Sequence, residues 1–271
     1  MNATELRVAI GGLGAIGMDL AHALDAGIEG LRLTAVASRD QHKARAQVAA
    51  LACEPRVVAA RELADHADVV VEAAPAVAFD DIAEPAIQQG RIFVPSSVGQ
   101  LLSRDALIEH ARETGARIVV PTGALLGLDA VRGAAEGGID SVTMVTRKPP
   151  GGLAGAPHLV NNNIDVSNLS EPLLVFEGSA RDGAIGFPAN VNVAAALSLA
   201  GIGPDRTSLQ VWADPTVTRN THTIRVEAPS VRFEMKIENV PSTANPRTGM
   251  LTPLSVLATL RGLVAPLKVG T

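Results

Sequence analysis

The chain has 271 residues, 47% of them hydrophobic, and a formal net charge of −5 with Lys and Arg scattered along its length. This length supplies one large domain, or two ordinary ones, with real cores. The dispersed charge and the 2% aromatic content, with no Tyr, argue against nucleic acid or an anionic membrane as the main partner.

Cysteine content and hydropathy exclude further classes of protein. Cys53 is the only cysteine, which excludes an intrachain disulfide and a multi-cysteine metal site, and we predict no bound metal. The first residues lack the basic-then-apolar pattern of a signal peptide. Every apolar run is cut by Gly, Pro or charge before the ~20 residues of a membrane helix. We therefore expect a soluble, cytoplasmic protein with no membrane partner.

The first half alternates short runs rich in Val and Ile with helical stretches, which predicts βαβ units and a parallel sheet. The runs are nearly continuous in apolarity, as in strands covered on both faces. The predicted strands are 7–10, 33–37, 68–72, 91–95 and 117–120. The predicted helices between them are 15–25, 41–51, 78–89 and 104–114.

The alternation of short apolar strands with helices ends after Pro121. A Gly- and Ala-rich helix is predicted over 124–135, then a strand over 141–146 and an irregular loop rich in Gly, Pro and Asn over 149–168. The remaining predicted elements are a helix at 190–200, strands at 208–213, 221–227 and 231–238, and an amphipathic helix at 252–263. The last two strands flank a short turn and predict a hairpin.

A glycine motif joins the first predicted strand to the first helix. It matches G-x-G-x-x-G and consists of Gly12, Leu13, Gly14, Ala15, Ile16 and Gly17. The first glycine permits a tight turn, the second lets the backbone approach a pyrophosphate, and the third lets the helix pack close to the strand. The phosphates would lie at the helix N-terminus. The motif predicts NAD or NADP binding; the alternative is a glycine turn in an unrelated α/β protein.

These observations predict an α/β protein of two domains. An N-terminal Rossmann domain with a doubly wound parallel sheet spans 1–122, and the C-terminal helix of 250–271 packs back on it. A second α+β domain built on a mostly antiparallel sheet spans 123–249.

Other cofactor contacts are predicted at the carboxyl ends of the parallel strands, where ligands bind in open sheets. The second strand ends in Ser38 and Arg39, which suit a 2′-phosphate, with Asp40 one place beyond. Alternatively Arg39 stacks on adenine or faces solvent, so the choice between NAD and NADP stays open. Small residues follow the next two strands, namely Ala73, Ala74, Pro75 and Ser97, although small residues also suit tight loops.

Six histidines are candidates for proton transfer. Four of them, at 22, 42, 66 and 110, are interpreted as solvated or packing groups, and His158 lies in the irregular loop. His222 differs because Asp214, Arg219 and Asn220 precede it at the start of a predicted strand. Taken alone, a histidine at a strand start is more often structural than catalytic.

Six segments in a fixed order carry a family resemblance. They are G-L-G-A-I-G (12–17), G-A-L-L-G-L-D (123–129), T-R-K-P-P (146–150), F-P-A-N-V-N-V-A-A-A-L-S-L-A-G (187–201), A-D-P-T-V-T-R-N-T-H (213–222) and N-P-R-T-G (245–249). The first is common to many dehydrogenases, whereas F-P-x-N-V-N and R-N-x-H together are far more specific. Over nearly its whole length the chain resembles the L-aspartate dehydrogenase family.

The resemblance implies a reversible, NAD(P)-dependent oxidation of L-aspartate to iminoaspartate, which hydrolyses to oxaloacetate and ammonia or feeds NAD biosynthesis. It implies that His222 is catalytic, that Ala124 and Asn190 contact the dinucleotide, and that the second domain is the catalytic domain. It also implies a homodimer formed through the sheet of that domain.

The chemistry of these residues agrees with the implied roles. An acid/base with a pKa near neutrality suits proton removal from the substrate amine. Ala124, expected to open a helix, would let the nicotinamide approach closely, and Asn190 can orient its amide or cap the next helix. A dicarboxylate substrate calls for cations, and the candidates are Arg147, Lys148 and Arg219, unless these are solvated surface charges.

Two alternatives stay open. One is a related two-domain dehydrogenase, such as a homoserine dehydrogenase or a dihydrodipicolinate reductase. The other is a sensor that binds dinucleotide without catalysis, which would need a DNA-binding or partner-binding element; the sequence shows neither a basic helix nor an extra domain.

Overall fold

A computed structural model describes residues 5–188, 191–242 and 249–270. The chain forms two compact units. The first comprises Met1–Pro121 and Thr252–Lys268, and the second comprises Thr122–Leu251 and Val269–Thr271. Within the described ranges, no helix has the length and apolarity needed to cross a membrane.

The first unit is built on a six-stranded parallel sheet with the order β3-β2-β1-β4-β5-β6. Its strands are β1 (Leu6–Gly11), β2 (Leu31–Ala37), β3 (Arg56–Val58), β4 (Val69–Glu72), β5 (Ile92–Pro95) and β6 (Arg117–Ile118). Its helices are α1 (Ala15–Asp25), α2 (Gln41–Val48), α3 (Phe79–Gln88), α4 (Asp105–Thr114) and α9 (Leu251–Val264). Strand order reverses between β1 and β4, so the predicted doubly wound Rossmann sheet is confirmed.

The core of the first unit explains these elements. The valines of β4 are completely buried, as expected for a central strand covered on both faces. Val256 and Leu260 of α9 belong to the same buried cluster as β1 and β2. The last helix therefore contributes to the core of the first unit.

The second unit is built on a five-stranded sheet with the order β11-β10-β7-β9-β8. Its strands are β7 (Ser141–Lys148), β8 (Leu173–Ser179), β9 (Thr207–Ala213), β10 (Asn220–Ala228) and β11 (Val231–Asn239). Its helices are α5 (Leu128–Glu136), α6 (Pro157–Asn161), α7 (Ala180–Gly186) and α8 (Asn192–Ala200). Among the described strands of this second sheet, only the β7–β9 pair is parallel, so the predicted mostly antiparallel sheet is confirmed.

The two faces of this second sheet differ. Because side chains alternate along a strand, Val142 and Met144 of β7 share a face with Ile224 and Val226 of β10. All four are buried in one cluster with apolar residues of α5 and α8. The opposite face carries mostly polar and charged side chains, such as Arg225. We call it the outer face of the second sheet.

The predicted helix over 124–135 is wrong at its start. Helix α5 begins at Leu128, after Gly127, whose φ is +68°. Gly123 also has a positive φ, of +66°, and Ala124 lies in a turn between these two glycines. Left-handed residues interrupt a right-handed helix, so Ala124 does not open one.

Candidate active site

The glycine loop shows why two of its glycines are needed by the fold itself. Gly12 has a φ of +101°, and a Cβ there would collide with the carbonyl oxygen of Ala73. A Cβ on Gly17 would collide with the carbonyl oxygen of Gly12. The turn and the close packing of α1 on it therefore exclude side chains at both positions.

Gly14 is different, because nothing in the described chain requires a glycine there. Its φ is −78°, and a Cβ would meet no described atom within 4 Å. It is the N-cap of α1, with no side-chain cap hydrogen bond and no acidic residue in the first turn. The first turn thus offers open N–H groups at the positive end of a helix, which fits the pyrophosphate of NAD or NADP.

The tip of β2 offers polar groups for the adenosine half of a dinucleotide. Ser38 is half-buried and Arg39 is exposed. The Asp40 side chain is already engaged, because its Oδ1 accepts a hydrogen bond of 2.9 Å from the Lys43 amide and caps α2. Ser38 and Arg39 are therefore the groups placed to meet a ribose hydroxyl or a 2′-phosphate.

Sequence reasoning missed a buried carboxylate, Glu72, at the end of β4. It is 0% exposed, and it accepts hydrogen bonds from the Ala74 amide (2.9 Å), the Ser97 amide (2.9 Å) and the Ser97 hydroxyl (3.0 Å). Burial raises its pKa, and these hydrogen bonds oppose the shift. The available signal was an acidic residue that ends a run of valines.

In the second unit, His222 lies in a buried polar group at one end of the apolar sheet face. It pairs with Thr146 across the β10–β7 ladder, and its Nδ1 lies 3.1 Å from Thr146 Oγ1. Lys148 lies two residues beyond Thr146 on the same face of β7. The three side chains are 3%, 3% and 5% exposed. We call them the histidine cluster.

The electrostatics of the histidine cluster differ from the near-neutral pKa expected for its histidine. Burial and, next, the charge of Lys148 lower the pKa of His222 to about 3. Burial lowers the pKa of Lys148 to about 8. Desolvation disfavours the charged form of either base. The cluster at pH 7 therefore consists of a neutral imidazole and a buried ammonium group.

Arg147 and Lys148 were grouped in the sequence as substrate ligands, but the structure separates them. Adjacent strand residues point to opposite faces, so Arg147 lies on the outer face, away from His222. Its Nη1 donates to Asp214 Oδ2 at 2.9 Å, and its guanidinium stacks on Trp212 at 4.8 Å. This position corrects the prediction for Arg147. Arg219 is exposed in the segment before β10.

Comparison with known proteins identifies the family. Residues 129–263 match the family model "Aspartate dehydrogenase, C-terminal", and residues 12–121 match "Homoserine dehydrogenase, NAD binding domain". The chain is 59% identical over 268 residues to an L-aspartate dehydrogenase from Bradyrhizobium diazoefficiens, covering 99% of this chain and 95% of the relative. The chain belongs to the L-aspartate dehydrogenase family.

Two further relatives agree with the L-aspartate dehydrogenase family. L-aspartate dehydrogenase 3 from Bordetella bronchiseptica is 53% identical, with 98% of each chain covered. The solved structure of aspartate dehydrogenase from Thermotoga maritima has a TM-score of 0.75 at 26% identity, covering 98% of this chain and 99% of that one. The likeness therefore includes both units, whereas the homoserine dehydrogenase match is confined to the dinucleotide-binding part.

Two residues singled out by resemblance to the L-aspartate dehydrogenase family have separate outcomes. The carbonyl of Ala124 accepts a hydrogen bond of 3.0 Å from Asn239 Nδ2, which ties its turn to β11. Asn190 lies outside the described residues, as does most of the 245–249 motif.

His158, which the sequence left unplaced, packs with the rings of Phe176 and Phe187 at 5.3 and 5.4 Å.

Proposed function

We propose that this chain oxidises L-aspartate reversibly to iminoaspartate with NAD or NADP, and that the product hydrolyses to oxaloacetate and ammonia or feeds NAD biosynthesis. The observation that carries the proposal is the histidine cluster, a neutral imidazole beside a buried cation. The names of the relatives, at up to 59% identity, support the same substrate.

The dinucleotide, when bound, accepts the hydride that leaves Cα. The glycine loop and the N-terminus of α1 bind its pyrophosphate. The other proposed contacts are Ser38, Arg39, Ala73, Ala74, Pro75, Ser97, Ala124 and Asn190. Either the ribose diol or the 2′-phosphate can meet Ser38 and Arg39, so both cofactors are compatible with the proposal.

His222 receives the proton that the substrate ammonium must lose before hydride transfer. Thr146 engages its Nδ1, which leaves Nε2 for the substrate. A pKa of about 3 makes a weak base, but an arriving dicarboxylate brings negative charge that favours the imidazolium form. The base is therefore strengthened by its own substrate. Once His222 has released this proton to solvent, its neutral imidazole can activate the water that attacks the imine in the second half-reaction.

Lys148 binds one carboxylate of the substrate. Its ammonium is nearly fully buried, so an ion pair there is weakly screened by solvent. Pairing also offsets the charge that lowers the pKa of His222, which couples substrate binding to proton transfer. Arg219 is the candidate for the second carboxylate, because it is exposed and lies three residues before His222.

The test compares wild type with His222→Ala in initial-rate assays of L-aspartate against NAD and NADP. We expect kcat to fall by about 10² to 10⁴, since general acid–base groups contribute about that much, while NADH affinity is retained. Near-wild-type turnover would remove His222 from the mechanism. Reduction of dinucleotide by homoserine but not by aspartate would favour the related dehydrogenase, and no amino-acid-dependent reduction would favour a sensor.

We also propose a homodimer formed through the outer face of the second sheet. Toward one edge of the sheet this face carries cross-strand ion pairs of β10 with β11, Arg225 with Glu234 and Arg232 with Glu227, and on the central strand β7 it carries the half-buried Val145. An arrangement of polar rim and less exposed centre is typical of protein interfaces. The cytoplasmic location stays a prediction.

A further inference from the structure

Glu72 lies where the glycine loop and two further loops of the first unit meet. It pairs with Gly11 of β1 on one side and with Pro95 of β5 on the other. The next residue, Ala73, donates its amide to the Gly11 carbonyl at 2.8 Å, and its own carbonyl packs against Gly12. The segment after β4 therefore contacts the glycine loop through Ala73 and the Glu72 carboxylate through the Ala74 amide.

The carboxylate of Glu72 joins two loops that follow different strands. Its Oε1 accepts from the Ala74 amide and the Ser97 hydroxyl, and its Oε2 accepts from the Ser97 amide. Among the described residues, the hydrogen bonds to this carboxylate come from amide and hydroxyl donors and none comes from a cationic side chain. Burying a carboxyl group without a cation is costly. A valine at this place in the strand would bury no charge, and what the carboxylate adds is the set of hydrogen bonds that fixes the geometry of the loops.

The sheet topology shows which part of a dinucleotide these loops face. A dinucleotide crosses the carboxyl edge of an open parallel sheet at the point where strand order reverses, which here is between β1 and β4. The pyrophosphate lies at the loop after β1, and the adenosine half lies toward Ser38 and Arg39 at the end of β2. The nicotinamide half therefore lies toward the ends of β4 and β5.

We infer that Glu72 is a positioning residue for the nicotinamide half of the bound dinucleotide. Its carboxylate fixes Ala74 and Ser97 relative to the glycine loop, so that the two loops present one surface to the nicotinamide riboside. This inference rests on dinucleotide binding alone and does not depend on aspartate as the substrate.

The experiment measures the dissociation constants of NADH and of ADP by calorimetry for wild type and Glu72→Gln. ADP contains the adenosine and pyrophosphate but lacks the nicotinamide riboside. A glutamine amide cannot accept from both amides, so one loop loses its acceptor. We expect NADH to bind about tenfold more weakly, in keeping with the loss of one charge-assisted hydrogen bond, while ADP affinity stays within about twofold.

Asp68→Asn is the matched control. Asp68 lies just before the other end of β4 and pairs with Arg7 at 2.8 Å, so its loss affects the same strand without touching the two loops. The NADH-to-ADP ratio should stay at the wild-type value in this variant. A merely structural role for Glu72 predicts equal weakening of NADH and ADP, and that result would overturn the inference, as would unchanged NADH affinity.

Ser97→Ala keeps the inference falsifiable if Glu72→Gln does not fold. It removes the hydroxyl donor and leaves the carboxylate and both amides in place. We expect NADH alone to weaken, by about two- to threefold, and no change would contradict the proposed role. Binding is measured without amino acid, so a negative result here leaves aspartate oxidation untouched, and failure of that activity leaves this test valid.

Discussion

Lys148 is a buried ammonium group whose protonation can be followed through ligand binding. The ammonium form binds a carboxylate and the neutral amine does not. Because the pKa is lowered to about 8, the cation is present below pH 8 and is lost above it. We expect the inhibition constant of succinate, a dicarboxylate without an amine, to be constant below pH 8 and to rise about tenfold per pH unit above it.

The variant Lys148→Met isolates this effect. It should bind succinate weakly at every pH, with a flat profile, while NADH affinity stays near wild type. Lys236→Met removes an exposed lysine of the same unit and should keep the wild-type profile. A wild-type inhibition constant that stays flat to pH 9.5, about 1.5 pH units above that pKa, would exclude Lys148 as the carboxylate ligand.

Single residues also show where prediction from sequence stops. The strand predicted over 141–146 ends two residues before the observed end of β7 at Lys148. Strand alternation would have placed Arg147 and Lys148 on opposite faces if the strand had been extended. Glu72 could not be assigned in this way, because its partner Ser97 lies 25 residues away in the chain and only the folded sheet brings the two together.

At the scale of elements, the β1–α1 junction contains two glycines that we expect to be required for different reasons. Gly14 is expected to be required for ligand binding, and Gly17 for the fold. A methyl group on Gly14 points into open space. We therefore expect the free energy of unfolding of Gly14→Ala to lie within about 1 kcal/mol of the wild-type value. The same methyl group would occupy the approach of the pyrophosphate and weaken NADH binding at least about tenfold. Thermal melts and NADH titration measure the two effects.

Gly17→Ala is the counterpart within the same helix. Its methyl group collides with the Gly12 carbonyl, so the backbone of the turn must shift. We expect a lower melting temperature together with loss of NADH binding. A folded Gly14→Ala protein that binds NADH as tightly as wild type would show that the pyrophosphate does not lie at this helix N-terminus.

Strands and helices with a clear hydrophobic pattern could be predicted from this sequence. Short strands, and strands that mix apolar with polar residues, could not. The buried runs of β1, β2, β4 and β5 were all predicted, because strands covered on both faces read as continuous apolar runs. β3 has three residues and an exposed Arg56, and β8 mixes apolar residues with Glu177 and glycine. Neither shows a period that distinguishes it from a loop, so both were missed.

At the scale of the whole molecule, the family comparisons and the sheet topologies support the same two-part organisation. The sequence predicted the order of parallel and antiparallel regions because the pattern changes after Pro121. It could not predict that β9 would run parallel to β7, because the two strands are joined by a long connection that contains α6, β8, α7 and α8. Long-range strand pairing is set by the packed sheet and not by local sequence.

The oligomeric state is the prediction that belongs to the whole molecule. Light scattering at micromolar concentration should give a mass near twice the 27.9 kDa of the chain. Val145 lies on the outer face of β7, the central strand of the second sheet. Val145→Lys would place an unpaired charge in the middle of the proposed interface, where it must lose its water. We expect this variant to dissociate to monomers.

The control substitution is Val160→Lys on α6, where the side chain is 62% exposed. It adds the same charge to the same unit and should leave the dimer intact. A wild-type monomer would refute the proposed dimer outright. A dimer that tolerates Val145→Lys as well as Val160→Lys would place the interface on a different surface. Because both lysine variants change the net charge equally, a difference between them reports on the position of the charge and not on its amount.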